Sequence, residues 1–142
     1  MKILLLCTGN SCRSQMAHGF LQSFDPNIIV CSAGTNPAST ISSKAIEVMK
    51  EVGLDISGYY PKKVDQYLNE AWDYVITVCD HANETCPMFL GKVKNRLHIG
   101  FEDPSHITGS DEFIWGMFRR IRDEIKNKFY KLYMEQIKPQ LP

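Results

Sequence analysis

Three short apolar runs and a fourth, more polar one, most of them followed by a polar turn and a stretch at helical spacing, set the rhythm of the chain. They cover residues 2–6, 28–31, 73–78 and 95–99. Runs of this length bounded by turn formers read as buried strands. Met16, Phe20 and Phe24 mark one stripe of a helix over residues 13–24, which Asp25-Pro26-Asn27 breaks. Ser32-Ala33-Gly34 closes the second strand. Ser42 or Ser43 caps a second helix, on which Ala45, Val48, Met49 and Val52 recur at helical spacing before Gly53 ends it. Residues 55–61 read as a loop and 64–68 as a short helical turn. The segment 80–90 is polar, lacks a period and holds Cys86-Pro87, so it is expected to be mobile or only partly helical. Behind a cap at Ser110, with Asp111 and Glu112 suiting the positive helix start, the remainder reads as one long amphipathic helix. Its predicted buried stripe is Ile114, Met117, Ile121 and Ile125, with Arg119, Arg120 and Arg122 on a solvated face. Strands alternating with helices predict an α/β fold with an open parallel sheet and helices on both faces. Right-handed crossovers then set the strand ends, and their loops, along one edge.

The first of those edges carries the chemistry. Cys7-Thr8-Gly9-Asn10-Ser11-Cys12-Arg13-Ser14 joins the first strand to the first helix. The opening amides of a helix have no internal acceptors and favour an anion in front of them. Five residues between Cys7 and Arg13 let the loop curl round one tetrahedral oxyanion, with Gly9 permitting close approach or a positive φ. Arg13 adds a planar fork for two oxygens, and Cys7 at the base of a positive cup is favoured as a thiolate. A buried cysteine and a surface arginine are the plain alternative, which the strand–loop–helix context outweighs. The Gly-Lys-Ser/Thr ending of an ATP-binding loop is absent.

Composition narrows the setting. At 142 residues the chain is expected to form one domain, residues 1–142, with a core that needs no staples. Sixteen basic and sixteen acidic residues cancel, which gives no general attraction to nucleic acid or to a membrane. No apolar run reaches membrane-spanning length and the chain opens straight into a strand, so a cytoplasmic protein is expected. Five cysteines is an odd number, pointing to thiol chemistry or metal before structural bridges.

Two further positions lie at strand ends. Asp103, before Pro104 in the loop after the fourth strand, is a candidate general acid, since an anion in the cup pushes a nearby carboxyl towards protonation. Alone it is equally a turn aspartate. Cys79 terminates the third strand as Cys7 terminates the first, and six residues separate it from Cys86. If that segment is helical when reduced, the two thiols stand about two turns, or roughly 10 Å, apart. A disulfide needs Cα atoms within about 7 Å, so oxidation would unwind the segment. Two unrelated thiols, or half a metal site with His81, are the alternatives; the ligand spacing argues against metal.

The loop resembles the phosphate-binding loop of the low-molecular-weight phosphatase superfamily, which holds tyrosine phosphatases and thioredoxin-coupled arsenate reductases. Cys7, Cys79 and Cys86 match the three redox cysteines of the reductases, including the seven-residue step between the last two. The likeness extends through Ser32-Ala33-Gly34, residues 45–57, Gly100 to Pro104 and residues 120–125. Gln15 and Ser105 stand where tyrosine phosphatases usually carry proline and tyrosine. The resemblance implies a three-layer α/β/α fold with sheet order 2-1-3-4. It further implies attack of Cys7 on arsenate, with phosphate or sulfate as analogues. Residues 8–14, Arg13 included, bind the oxyanion, and Asp103 is the acid. Ser14 would donate to the Cys7 thiolate, and Asn10 would brace the loop. Cys79 then Cys86 carry the oxidation to a Cys79–Cys86 disulfide reduced by thioredoxin. No cofactor, no metal and a monomer are implied. Cys12 and Cys31 are expected to be spectators. Where relatives that bind an alkali cation carry carboxylates, this chain has His18 and Lys62, so no cation is expected and the Lys62 ammonium partly replaces it. Tyr59-Tyr60 are expected near the cleft mouth, which keeps a tyrosine phosphatase acting through Cys7, Arg13 and Asp103 as the runner-up. A non-catalytic oxyanion-binding redox sensor is the third reading.

Overall fold

The computed structural model describes residues 1–142. Its centre is a four-stranded parallel sheet in the order β2-β1-β3-β4. The strands are β1 (Lys2–Cys7), β2 (Ile29–Gly34), β3 (Trp72–Thr77) and β4 (Val93–His98). The helices are α1 (Arg13–Phe24), α2 (Ser43–Lys50), the short α3 (Asp80–Glu84) and α4 (Asp111–Leu132). The register sets Cys7 beside Gly34, Leu6 beside Thr77, and Thr77 beside His98, so the strands finish together on one edge.

Side chains of β1 alternate between two cores, as the pleat requires. Ile3, Leu5 and Cys7 join the larger core with Met16, Phe20, Val48, Ile121 and Phe129 from α1, α2 and α4. Leu4 and Leu6 enter the smaller core with Val64, Trp72, Val75 and Phe89. A strand buried on both faces reads as an unbroken apolar run, which is why residues 2–6 show no alternation. The layer over the smaller core is thin, made of a 3₁₀ turn at Val64–Tyr67 and the segment carrying Phe89.

Ser42, of the two candidates, caps α2 by accepting from the Ala45 N–H at 3.3 Å, and Ser110 caps α4 by accepting from Phe113 N–H at 3.2 Å. Four details depart from the sequence pattern. Strand β2 continues through Ser32, Ala33 and Gly34, because these pair with Leu5, Leu6 and Cys7. The buried stripe of α4 is Phe118, Ile121, Ile125, Phe129 and Leu132, with Ile114 and Met117 only half-buried. Arg122 is buried rather than solvated, donating to Val48 O at 2.9 Å and to Glu51 Oε1 at 2.8 Å. After Leu132 the chain loosens into a π turn (Tyr133–Ile137) and a 3₁₀ turn (Lys138–Gln140) that contains Pro139, which has no N–H to continue a helix. No helix is long and apolar enough to cross a membrane.

Candidate active site

The loop between β1 and α1 is an anion cup by virtue of where its carbonyls go. Those of Cys7, Thr8, Gly9 and Ser11 accept from the N–H groups of Thr35, Asn36, Ala38 and Ser42 at 2.8–3.1 Å. With its carbonyls stitched outward, the loop turns its amides inward, and no N–H from Thr8 to Cys12 has a backbone acceptor. Such a nest, running into the uncapped start of α1, carries a fixed positive potential. The left-handed position is Asn10, at φ 50, and not Gly9, for which the sequence allowed close approach or a positive φ. Asn10 holds this conformation through its side chain: Nδ2 donates to Ser14 Oγ at 2.8 Å, and Oδ1 accepts from Lys62 N at 2.9 Å. Asn10 therefore braces the loop as expected. Ser14, by contrast, is fully buried beneath the loop on Asn10 and does not line the cup.

The cavity measures about 250 Å³ and is walled by residues 7–13 with Asp103, Ser105 and His106. That is small for an organic ligand and ample for one tetrahedral oxyanion. Arg13 closes one side. Its Nη1 donates to Phe101 O at 3.0 Å, its Nη2 lies 3.3 Å from Asp103 Oδ2, and its Nε is buried without a partner. An unpaired buried donor beside a nest of amides fits an anion of two or more oxygens. Asp103 Oδ1 accepts from Ser105 N at 2.9 Å, while Oδ2 also stands 3.5 Å from His106 Nε2. Ser105 and His106 were not singled out as site residues from the sequence. The only signal for His106 was its place three residues beyond the candidate acid.

Cys7 lines the cup, and Cys79 meets it from beside Thr8. Cys79 Sγ lies 3.4 Å from Thr8 Oγ1 and accepts from Ala82 N at 3.4 Å, across the first turn of α3. Donation from the Cys7 thiol, then from Thr8 and Ala82, together with the charge of Arg13, pulls Cys79 down to about 5. The same hydrogen bond to Cys79, and then burial, raises Cys7. Two thiolates in contact repel, so the pair carries one proton, and its first deprotonation is easy. Cys12 is buried in the wall, and burial pushes its thiol up to about 12.

Cys86 is not at the cup. All five cysteines are free thiols, and Cys86 packs half-buried against the smaller core, whereas Cys79 belongs to the larger one. Burial raises its thiol while the nearby Arg96 lowers it. The segment 80–90 is partly helical: α3 spans only Asp80–Glu84, and Cys86 follows its end.

Beneath the loop, Gln15 Nε2 donates to Asn10 O at 2.9 Å and to Tyr60 O at 3.1 Å, and Ser32 Oγ donates to Gln15 Oε1 at 3.3 Å. His18 Nδ1 meets Ser32 Oγ at 3.1 Å and stacks on Tyr59 with centroids 4.5 Å apart. Burial and then the Lys62 charge lower His18 to about 4, so it is a neutral imidazole here. Lys62 Nζ donates to Tyr60 O at 2.9 Å and sits over the exposed Tyr60 ring. Tyr59 and Tyr60 therefore brace the back of the loop and do not flank the cup, contrary to expectation. Cys31 is half-buried on β2, away from the cup.

This geometry agrees with the comparisons with known proteins. The model of the low molecular weight phosphotyrosine protein phosphatase family matches residues 2–141. The chain belongs to that family. Within this phosphatase family it is similar to the arsenate reductase of Halalkalibacterium halodurans, 45% identical over 124 residues, covering 87% of this chain and 88% of that one. Its structure superposes on an arsenate reductase in a phosphate-binding state with TM-score 0.79 at 29% identity, covering 94% of this chain and 97% of the other. A thioredoxin-dependent arsenate reductase from Corynebacterium glutamicum superposes with TM-score 0.70 at 28% identity, over 98% of this chain and 63% of the other.

Proposed function

We propose that residues 1–142 form one domain that reduces arsenate to arsenite, with thioredoxin as the reductant. The observation that carries this reading is a second thiol, Cys79, in contact with the Cys7 that lines the oxyanion cup. A phosphatase needs one cysteine there; a second thiol in contact with the first is what a two-electron reduction uses.

In the proposed mechanism the inward amides and the Arg13 fork hold arsenate over Cys7, with Nε of Arg13 supplying the donor that lacks a partner. The proton shared by the pair moves to Cys79, and the Cys7 thiolate attacks arsenic. Asp103, 3.3 Å from Arg13, protonates the departing hydroxide to water. With Cys7 bonded to arsenic, Cys79 loses its proton again, helped by Thr8, Ala82 and Arg13. Its thiolate attacks the Cys7 sulfur, and the sulfur–arsenic electron pair leaves with arsenic as arsenite. Cys86 then attacks Cys79 and releases Cys7 as a thiolate, leaving a Cys79–Cys86 disulfide. Thioredoxin attacks that disulfide and restores both thiols.

Arsenite formation measured with thioredoxin, thioredoxin reductase and NADPH tests this directly. Sustained turnover in the wild type, falling to background in Cys79→Ser and Cys86→Ser, is the expected result. Absence of arsenite from the wild type, with aryl-phosphate hydrolysis indifferent to both substitutions, would overturn it in favour of a phosphatase.

A further inference from the structure

Cys79 and Cys86 pack against different cores, so the second disulfide exchange requires α3 to open. A closed set of polar contacts resists that opening. His98, the last residue of β4, places Nε2 2.9 Å from Asp80 Oδ1 on α3 and Nδ1 2.8 Å from Thr77 Oγ1 on β3. Thr77 Oγ1 also lies 3.3 Å from Asn83 Oδ1, again on α3. A carboxylate only accepts, so the Nε2–H of His98 donates to Asp80, while the one hydroxyl hydrogen of Thr77 is shared between His98 Nδ1 and Asn83 Oδ1. Two strands thereby grip the first and fourth residues of α3. Gly100 leaves room for the grip, since a Cβ there would stand 3.1 Å from His98 Nε2 and 3.3 Å from Asp80 Oδ1. A cavity of about 370 Å³ bordered by Cys86, Asn83, Thr77, His98 and Arg96 gives the segment space to rearrange.

We propose that His98 is a positioning residue for the redox chemistry, a latch that keeps α3 wound until Cys79 has reacted. The idea rests on the three-thiol reading above. In the reduced state two polar holds on α3 bear on the redox step, the latch and Ala82 N–H donating to the Cys79 sulfur, beside the core packing of Ala82. Formation of the Cys7–Cys79 disulfide removes the thiolate and so weakens the second hold. The latch alone then sets how fast Cys86 reaches Cys79.

Single turnover with arsenate, quenched and followed by mass spectrometry of the free thiols, separates formation of the Cys7–Cys79 bond from closure of the Cys79–Cys86 bond. Asp80, whose side chain is 89% exposed, can be changed without threatening the fold. Asp80→Ala is expected to speed closure about threefold, and His98→Ala, which loses two contacts, about tenfold. Asp80→Asn keeps an acceptor and should close at the wild-type rate. Hydrogen exchange of the amides of residues 80–85 in the reduced protein should quicken in the two alanine variants and not in Asp80→Asn. Unchanged closure and exchange in both alanine variants would overturn the latch. Failure of the wild type to lose two thiols on adding arsenate would instead overturn the three-thiol reading on which it stands.

Discussion

The sulfurs of Cys7 and Cys79 behave as one acid. Because Cys7 donates to Cys79, removing Cys7 removes the largest influence that lowers Cys79. Titration of thiolate absorbance should give a midpoint at about 5 in the wild type, moving up by a unit or more in Cys7→Ala. The sign follows from the proton count. Above the midpoint the pair holds one proton and has a nucleophile; below it the pair holds two and has none, so arsenate reduction should fall as pH drops through about 5. Unchanged titration in Cys7→Ala would mean that the two thiols are independent. At this scale the sequence was a good guide to which residues converge and a poor one to how. Cys7, Cys79 and Asp103 could be placed because each lies at or just beyond a strand's end, and Arg13 because it opens α1. That Asn10 takes the positive φ, and that Ser14 bonds Asn10 and does not face the cup, depends on long-range partners such as Lys62 N.

The elements show why the cup is stiff. Its carbonyls are bonded to residues 35–42, so the loop and the entry to α2 are one unit, hung on the end of β2. Gly34 is the point of closest approach: a Cβ there would lie 2.5 Å from Thr8 O and 3.1 Å from Asn10 Cβ. Gly34→Ala must push the loop outward, and a shift of well under 1 Å spoils several amide contacts together. Phosphate affinity, by calorimetry, should weaken at least about tenfold, while the far-ultraviolet circular dichroism of the sheet and helices stays as in the wild type. Equal affinity in the variant would mean that the loop yields freely. Helices and strands were legible wherever apolar spacing was strong, in α1, α2 and β1. The start of β4 at Val93 was not, because this edge strand is only half-buried on alternate residues and carries Lys94 and Asn95.

Over the whole molecule, α4 is fastened to α2 as well as to the sheet. Arg122 crosses the larger core's rim to donate to Val48 O, a carbonyl near the end of α2 that has no helical partner to spare, and to Glu51. Arg119 binds the same Glu51 carboxylate from the next turn of solvent-facing helix. Arg122→Ala should lower unfolding free energy by about 2 kcal/mol in denaturant titration, with Arg122→Lys recovering only part, since an ammonium has no counterpart to the Nε–H that Arg122 donates to Asp123. A loss below about 0.5 kcal/mol would place Arg122 among ordinary surface cations after all. Spacing along α4 had put it there, since an arginine between apolar positions looks solvated until its partner on another helix is known.

The division of the thiols between the two cores has a practical meaning for traffic through the protein. In the proposed relay, oxidising equivalents enter at Cys7 from the anion cup, on the side of the larger core, and surface at Cys86 against the smaller one. The oxyanion and a protein reductant thus have separate doors. Neither must wait for the other to leave, so an excess of arsenate should not block recharging.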